Sequence, residues 1–250
     1  MAIGDSSTEG LDDPDGSGGY RGWANRLAER VAEVQGGLLY ANLGVRGKKS
    51  GEILDQQLAP ALTMRPDLAT LFSGTNDIIA RRFDAAAVAA DVERMQRALV
   101  GGGATLLTFT LPDLAPVMPA ARWLAPRLAE LNERLRRVSA ATGTILVDFA
   151  AYSVASDPRL WSADRLHANG EGHARIAAAL AQALGLPATD GSWADPLPLR
   201  ESHERAEKLR AEVAWTRRHL LPWLLRHLRG NAKARQRQPK RPELRPVNVP

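Results

Sequence analysis

The stretch "LATLFSGTND", residues 68–77, sets a near-continuous apolar run, Leu68–Ser73, directly against a polar turn led by Gly74. A strand with one wet face alternates apolar and polar residues. A continuous run marks a strand buried on both faces, as in a parallel sheet covered by helices. Four more runs share this form: Ala2–Gly4, Leu38–Leu43, Ala104–Thr110 and Thr144–Asp148. Between and after them, Trp23–Val34, Ser50–Gln57, Asp84–Val100, Ala121–Ala141 and Asn169–Leu184 carry apolar residues at helical spacing. The alternation predicts an α/β fold, a three-layer α/β/α sandwich around a five-stranded parallel sheet with right-handed crossovers.

In such sheets ligands bind at the carboxyl ends of the strands. The residues at those ends are Asp5-Ser6, Gly44, Gly74-Thr75-Asn76-Asp77 and Pro112-Asp113, so polar and Gly-rich content converges on one edge. Gly101-Gly102-Gly103 precedes a strand and reads as a turn closing a helix.

Composition narrows the classes. The chain has 250 residues, 44% hydrophobic and 24% charged, which fits one globular domain with an appendage and excludes a generally disordered or fibrous chain. No stretch approaches the roughly 18 apolar residues of a membrane span, and the start lacks the pattern of a signal peptide, so a cytoplasmic protein is the expectation. There are no cysteines, which leaves Ser, Thr, Lys or a carboxylate as nucleophile. The net charge of +5 is uneven. Residues 191–250 hold 14 Lys/Arg against 6 Asp/Glu, leaving 19 against 22 for residues 1–190. The body is mildly acidic, so the basic total does not mark it as nucleic-acid binding.

Ser6 at the end of the first run reads either as a helix cap or as a nucleophile. A nucleophile needs a base and donors for the charge that develops on the carbonyl oxygen. Of five histidines, His203, His219 and His227 lie in the basic tail, and His173 falls in the first turn of the closing helix, where a surface or capping role is expected. His167 stands in "WSADRLHANGEGH", three residues after Asp164. An Asp-x-x-His turn lets the carboxylate reach Nδ1 and leaves Nε2 free as base, although the same turn can be a capping Asp beside an exposed His. Asn76 can offer a side-chain amide and Gly44 a backbone N–H, with a helix cap and a plain turn as their other readings.

Together "AIGDSSTEG", "ANLGVRG", "LFSGTNDI" and "DRLHANGEGH" resemble the four sequence blocks of the SGNH (GDSL-type) hydrolases, in family order, over roughly residues 1–186. The resemblance implies a flavodoxin-like fold and an esterase without metal or nucleotide cofactor. It implies a catalytic set of Ser6, Asp164 and His167, with an oxyanion hole from the Ser6 and Gly44 backbone N–H groups and the Asn76 side chain. Asp5, Gly74 and Asp77 would support the loops. Ser7 stands where the family's GDSL name has Leu, and the first strand is short.

The substrate expected is a small or medium acyl, or acetyl, ester. Leu111, Leu114, Val117, Met118 and Trp123 flank the site and read either as an acyl pocket or as a lid and core edge. An acyltransferase using the same site is the first alternative. A catalytically idle binding protein using its basic tail is the second. Domain limits are expected at 1–190 for the hydrolase, 191–230 for an amphipathic helical extension broken near Pro222, and 231–250 for a basic, disordered tail. The apolar face of that extension is expected to dock on the hydrolase body with its arginines solvated; the alternative is that Trp215 and Trp223 beside several arginines make a weak contact with an anionic surface or membrane.

Overall fold

The computed structural model describes residues 1–198, 214–220 and 237–247. Met1–Asp195 together with Gln238–Pro250 form one unit and Pro196–Arg237 a second. In the second, Thr216–Leu220 is a π-helical turn, and the rest of the expected amphipathic helix and its break at Pro222 lie outside the described residues.

In the first unit the elements run β1 (Ala2–Gly4), α1 (Ser6–Glu9), α2 (Gly22–Gln35), β2 (Leu39–Asn42), α3 (Ser50–Thr63), β3 (Leu68–Phe72) and α4 (Thr75–Ile79). They continue through α5 (Ala85–Gly101), β4 (Thr105–Phe109), α6 (Ala125–Thr142), β5 (Ile145–Val147), α7 (Gly170–Ala183) and β6 (Arg241–Pro246). Strand order is β5-β4-β3-β1-β2-β6. β1 pairs in parallel with both β2 and β3, so the crossover direction reverses at β1, and the site should open at that switch. α2 packs on α7, while α3 and α6 both pack on α5. The core between these layers is built from continuous apolar strands: Ile3, Leu71 and Leu107 are all essentially inaccessible.

The α/β sandwich and its five parallel strands stand as expected, but the sheet has a sixth strand. Arg241–Pro246 runs antiparallel to β2, with Tyr40 opposite Arg245 and Asn42 opposite Arg241 across a bulge. The expectation of a disordered 231–250 tail is therefore corrected for these residues. Prolines and charges made the segment read as disorder, yet both are tolerated on an edge strand, where one side needs no ladder bonds. The strand is fastened by side chains as well. Arg241 donates from Nε to Tyr40 O at 2.9 Å, and Lys240 Nζ donates to Tyr20 O and Arg21 O at 2.8 and 2.9 Å.

α3 extends six residues beyond its expected end, through Pro60. The missing N–H costs one backbone bond, but the start is held by Ser50, whose N–H and hydroxyl both donate to Asp77 at 3.0 Å. The segment expected to open α6 is instead a 3₁₀ stretch, Pro119–Leu124. Among the described residues, no helix is long and apolar enough to cross a membrane.

Candidate active site

The end of β1 is locked before any chemistry is considered. Gln57 from α3 donates to Gly4 O at 2.9 Å and accepts from Gly4 N at 2.8 Å, engaging both backbone polar groups of one residue. Gly4 adopts φ +154°, and a Cβ there would lie 2.3 Å from Thr8 Oγ1 and 2.4 Å from Phe72 O. Only glycine lets the chain turn this tightly between two strands. Asp5 then caps α1 through a 2.9 Å bond from Ser7 N, which puts Ser6 at the first helical position. A first-turn N–H has no intrahelical acceptor, so the Ser6 N–H faces outward with its hydroxyl.

Opposite Ser6 stands the loop before α7. His167 Nε2 is 2.9 Å from Ser6 Oγ, and His167 Nδ1 is 2.6 Å from Asp164 Oδ2. Asp164 is fixed in turn by Leu166 N at 2.9 Å and His167 N at 3.0 Å, both on Oδ1. Asn169 caps α7 through Gly172 N at 3.0 Å, so the loop ends in a rigid helix start. Burial acts to lower the His167 imidazole, but the hydrogen bond and charge of Asp164, helped by Asp12 and Asp5, outweigh it and hold it above its usual value. Burial acts to raise Asp164, but His167 and Ser162 hold its carboxyl well below the carboxylate range. The pair is thus a firmly ionised acid orienting a base.

Asp12 was not singled out in the sequence, yet it belongs to this cluster. Its Oδ2 lies 3.8 Å from His167 Nδ1 and accepts from Ser162 Oγ at 2.7 Å, while the same hydroxyl is 2.7 Å from Asp164 Oδ1. One hydroxyl proton thus serves two carboxylates. Asp12 sits at φ +65°, a left-handed conformation uncommon for a residue with a Cβ. The ligand atoms of Asp12, Asp164 and His167 lie within 4.8 Å of one another, but the Nδ1 that faces the two acids is already committed to Asp164.

The donor side differs from expectation in one residue. Asn76, in the first turn of α4, donates from Nδ2 to Lys48 O at 3.0 Å and to Asp5 Oδ2 at 3.3 Å, beside Ser6 in the same cleft. Gly44 is buried, and its N–H is taken by Asn42 Oδ1 at 2.9 Å. It has no donor to offer a substrate. Gly47, three residues on, is exposed at φ +83°, and its N–H meets no acceptor among the described residues. "NLGVRG" contains both glycines, and the deciding fact, the Asn42 amide two residues before Gly44, is a local contact that spacing does not reveal. Gly74 caps α4, and Asp77 is buried against Ser50, so both serve as scaffold.

Asp5 is fully enclosed, 1% exposed, and burial pushes its carboxyl up to about 7 despite the Ser7 N–H and the His167 charge. His173 is corrected from surface to core. It is 1% exposed; Nδ1 accepts from Trp23 N at 3.1 Å and Nε2 donates to Leu11 O at 2.9 Å. Burial pushes it down to about 4. Its spacing with Ala177 and Leu180, all on the buried face of α7, was the available signal. Leu111, Leu114 and Met118 line an apolar cavity beside Ser6, whereas Val117 is buried and Trp123 is 75% exposed.

A serine, histidine and carboxylate stand in hydrogen-bonded series at the switch point of a doubly wound sheet, the kind of arrangement that hydrolases with an α/β/α fold use. A family model described as GDSL-like lipase/acylhydrolase matches residues 2–175. The chain belongs to that family, the SGNH-type esterases. It is similar in fold to a lipase/acylhydrolase from Enterococcus faecalis, at 23% identity over 72% of this chain and 92% of that one, with a TM-score of 0.59. An acetylxylan esterase from Geobacillus stearothermophilus, studied as a catalytic mutant, aligns at 15% identity over 78% and 95%, TM-score 0.59. TesA aligns at 22% identity over 73% and 96%, TM-score 0.58. No curated protein sequence matches the chain.

Proposed function

We propose that the protein hydrolyses a carboxylic ester through an acyl-enzyme on Ser6. The observation that carries this reading is the unbroken series Ser6 Oγ, His167 Nε2, His167 Nδ1, Asp164 Oδ2 at 2.9 and 2.6 Å. His167 takes the Ser6 proton as Oγ attacks the acyl carbon, and Asp164 stabilises the imidazolium that forms. The negative oxygen is received by the Ser6 N–H, by the Gly47 N–H, which replaces Gly44 in the role expected of it, and by the Asn76 amide, which releases its longer bond, 3.3 Å to Asp5 Oδ2, to do so. His167 returns the proton to the leaving alkoxide. It then deprotonates a water that releases the acid and restores Ser6.

The test is covalent. A fluorophosphonate should label wild-type protein once, at Ser6, and ester turnover should stop with it. Ser6→Ala should take no label and lose turnover, with its unfolding transition nearly unchanged. Turnover retained by Ser6→Ala would overturn the reading.

A further inference from the structure

The cavity that begins at Ser6 and His167 runs across the sheet toward β5, and its composition changes along the way. At the Ser6 end stand Asp5, Asn76 and Thr75. Beyond them the lining is almost wholly hydrocarbon. Its wall contains a row of aromatic rings from successive strand ends: Phe72 at the end of β3, Phe109 at the end of β4, Phe149 after β5, and then Trp193. The centroids step 4.2, 5.2 and 5.6 Å from Phe72 to Trp193. Arg175 also borders this space, but its charge is spent elsewhere: Nη1 donates to Trp193 O at 2.9 Å and Asp195 O at 2.7 Å, and Nε to Glu171 at 3.0 Å. Asp113 also lies on the lining, exposed and accepting from Ala115 N at 2.9 Å, and among the described residues the ring row itself carries no array of donors and acceptors of the kind a sugar ring would need.

We propose that this cavity holds the acyl half of the substrate, and that this half is an unbranched chain of about eight to twelve carbons, at about 1.3 Å of advance per carbon from ordinary bond lengths. The inference rests on Ser6 as the nucleophile and adds the identity of the acid. Three ring-to-ring steps of 4.2, 5.2 and 5.6 Å bound the length of the apolar floor. The cavity volume of about 130 Å³ is far more than the roughly 10–15 Å³ that one water needs. An acetyl group would leave most of that space without a partner. A chain much longer than twelve carbons would meet Trp193, which is held in place by a 2.5 Å bond from Nε1 to Gln182 and by the Tyr152 ring at 4.7 Å.

The test uses the whole chain and a series of p-nitrophenyl esters from acetate to palmitate. Catalytic efficiency should rise by up to about fourfold per methylene, the factor that burying one CH₂ gives, peak between octanoate and dodecanoate, and fall by palmitate. A peak at acetate or butyrate overturns the proposal. Ala155 borders the cavity at its β5 end, three residues after Tyr152. Ala155→Phe should shift the peak toward shorter chains and lower the decanoate-to-butyrate ratio at least tenfold. An unmoved peak would place the chain elsewhere. Because ester turnover also depends on Ser6, a second arm measures binding of butanamide and decanamide to Ser6→Ala by calorimetry. Decanamide should bind at least tenfold more tightly, and equal affinity overturns the proposal. Preference for decanamide with no fluorophosphonate label on wild-type Ser6 would sustain the chain site and remove the nucleophile.

Discussion

His167 and His173 lie six residues apart, one in the loop before α7 and one in its first turn, and each has both ring nitrogens engaged. His167 faces a carboxylate on one side and a hydroxyl on the other, so a proton on the ring is welcome and the usual value rises. His173 faces a backbone N–H and a backbone carbonyl. Burial holds the ring down to about 4 against the Leu11 carbonyl and Asp13, and the Trp23 N–H fixes the neutral tautomer with Nδ1 bare. The same side chain is thus placed to carry a proton at one position and held as a fixed strut at the other. The partners, more than the depth of burial, separate the roles.

Substitution should separate them most sharply. His167→Ala should reduce kcat by about 10⁴-fold or more, as loss of a base does in such triads, while urea unfolding moves little. His173→Ala should do the reverse. It strands the buried Trp23 N–H, at roughly 1–3 kcal/mol, and unpairs the partly buried Leu11 carbonyl, so the urea midpoint should drop clearly while kcat per folded molecule holds. A His173→Ala protein with normal stability and lost turnover would erase the distinction.

The two histidines should also give stability opposite slopes with pH. His173 has a folded value near 4, below its ordinary 6.5. Its contribution is therefore complete above about 6.5 and lost as pH falls toward 4, about 3 kcal/mol in all, from 1.36 kcal/mol per unit. His167 is raised, so its contribution is complete below the ordinary 6.5 and lost as pH climbs through its folded value. Urea titrations of wild type and His173→Ala between pH 4 and 7 isolate this loss as a difference, because the raised Asp5 carboxyl acts on both proteins alike: the stability gap between them should narrow as pH falls from 6.5 toward 4.

The smallest effect expected is at Asp12, whose carboxylate supplements Asp164 across 3.8 Å from His167 Nδ1. Turnover needs His167 neutral, so the acid limb of the kcat/KM profile follows its titration. Asp12→Asn removes one charge that favours the imidazolium and should move that limb to lower pH by a few tenths of a unit, about the scale of a half-exposed charge at this distance. A rise in the limb would mean that Asp12 acts by some other route.

The five parallel strands and the Asp164–His167 turn were legible because each is contiguous: a run of apolar residues, or two polar side chains one turn apart. Ser6 was legible from its place after β1. What escaped depends on contacts between distant segments. Gly44 and Gly47 differ by whether Asn42 folds back on the N–H. Asp12 reaches Ser162 across 150 positions of sequence. Arg241–Pro246 carries two prolines and three charges, and its strand character comes from β2 beside it rather than from its own propensity.

That last strand also sets a clock. β2 is complete at Asn42 and its partner begins at Arg241, about two hundred residues later. At roughly 5–20 residues per second of synthesis, the growing chain carries the open hydrogen-bonding edge of β2, with Leu39 on it, for about 10–40 s before β6 exists to cover it. A full-length chain refolding from denaturant has β6 present from the start. The nascent protein and the refolding protein therefore face different risks of pairing with a neighbour, and the window closes only when Arg241–Pro246 has left the ribosome.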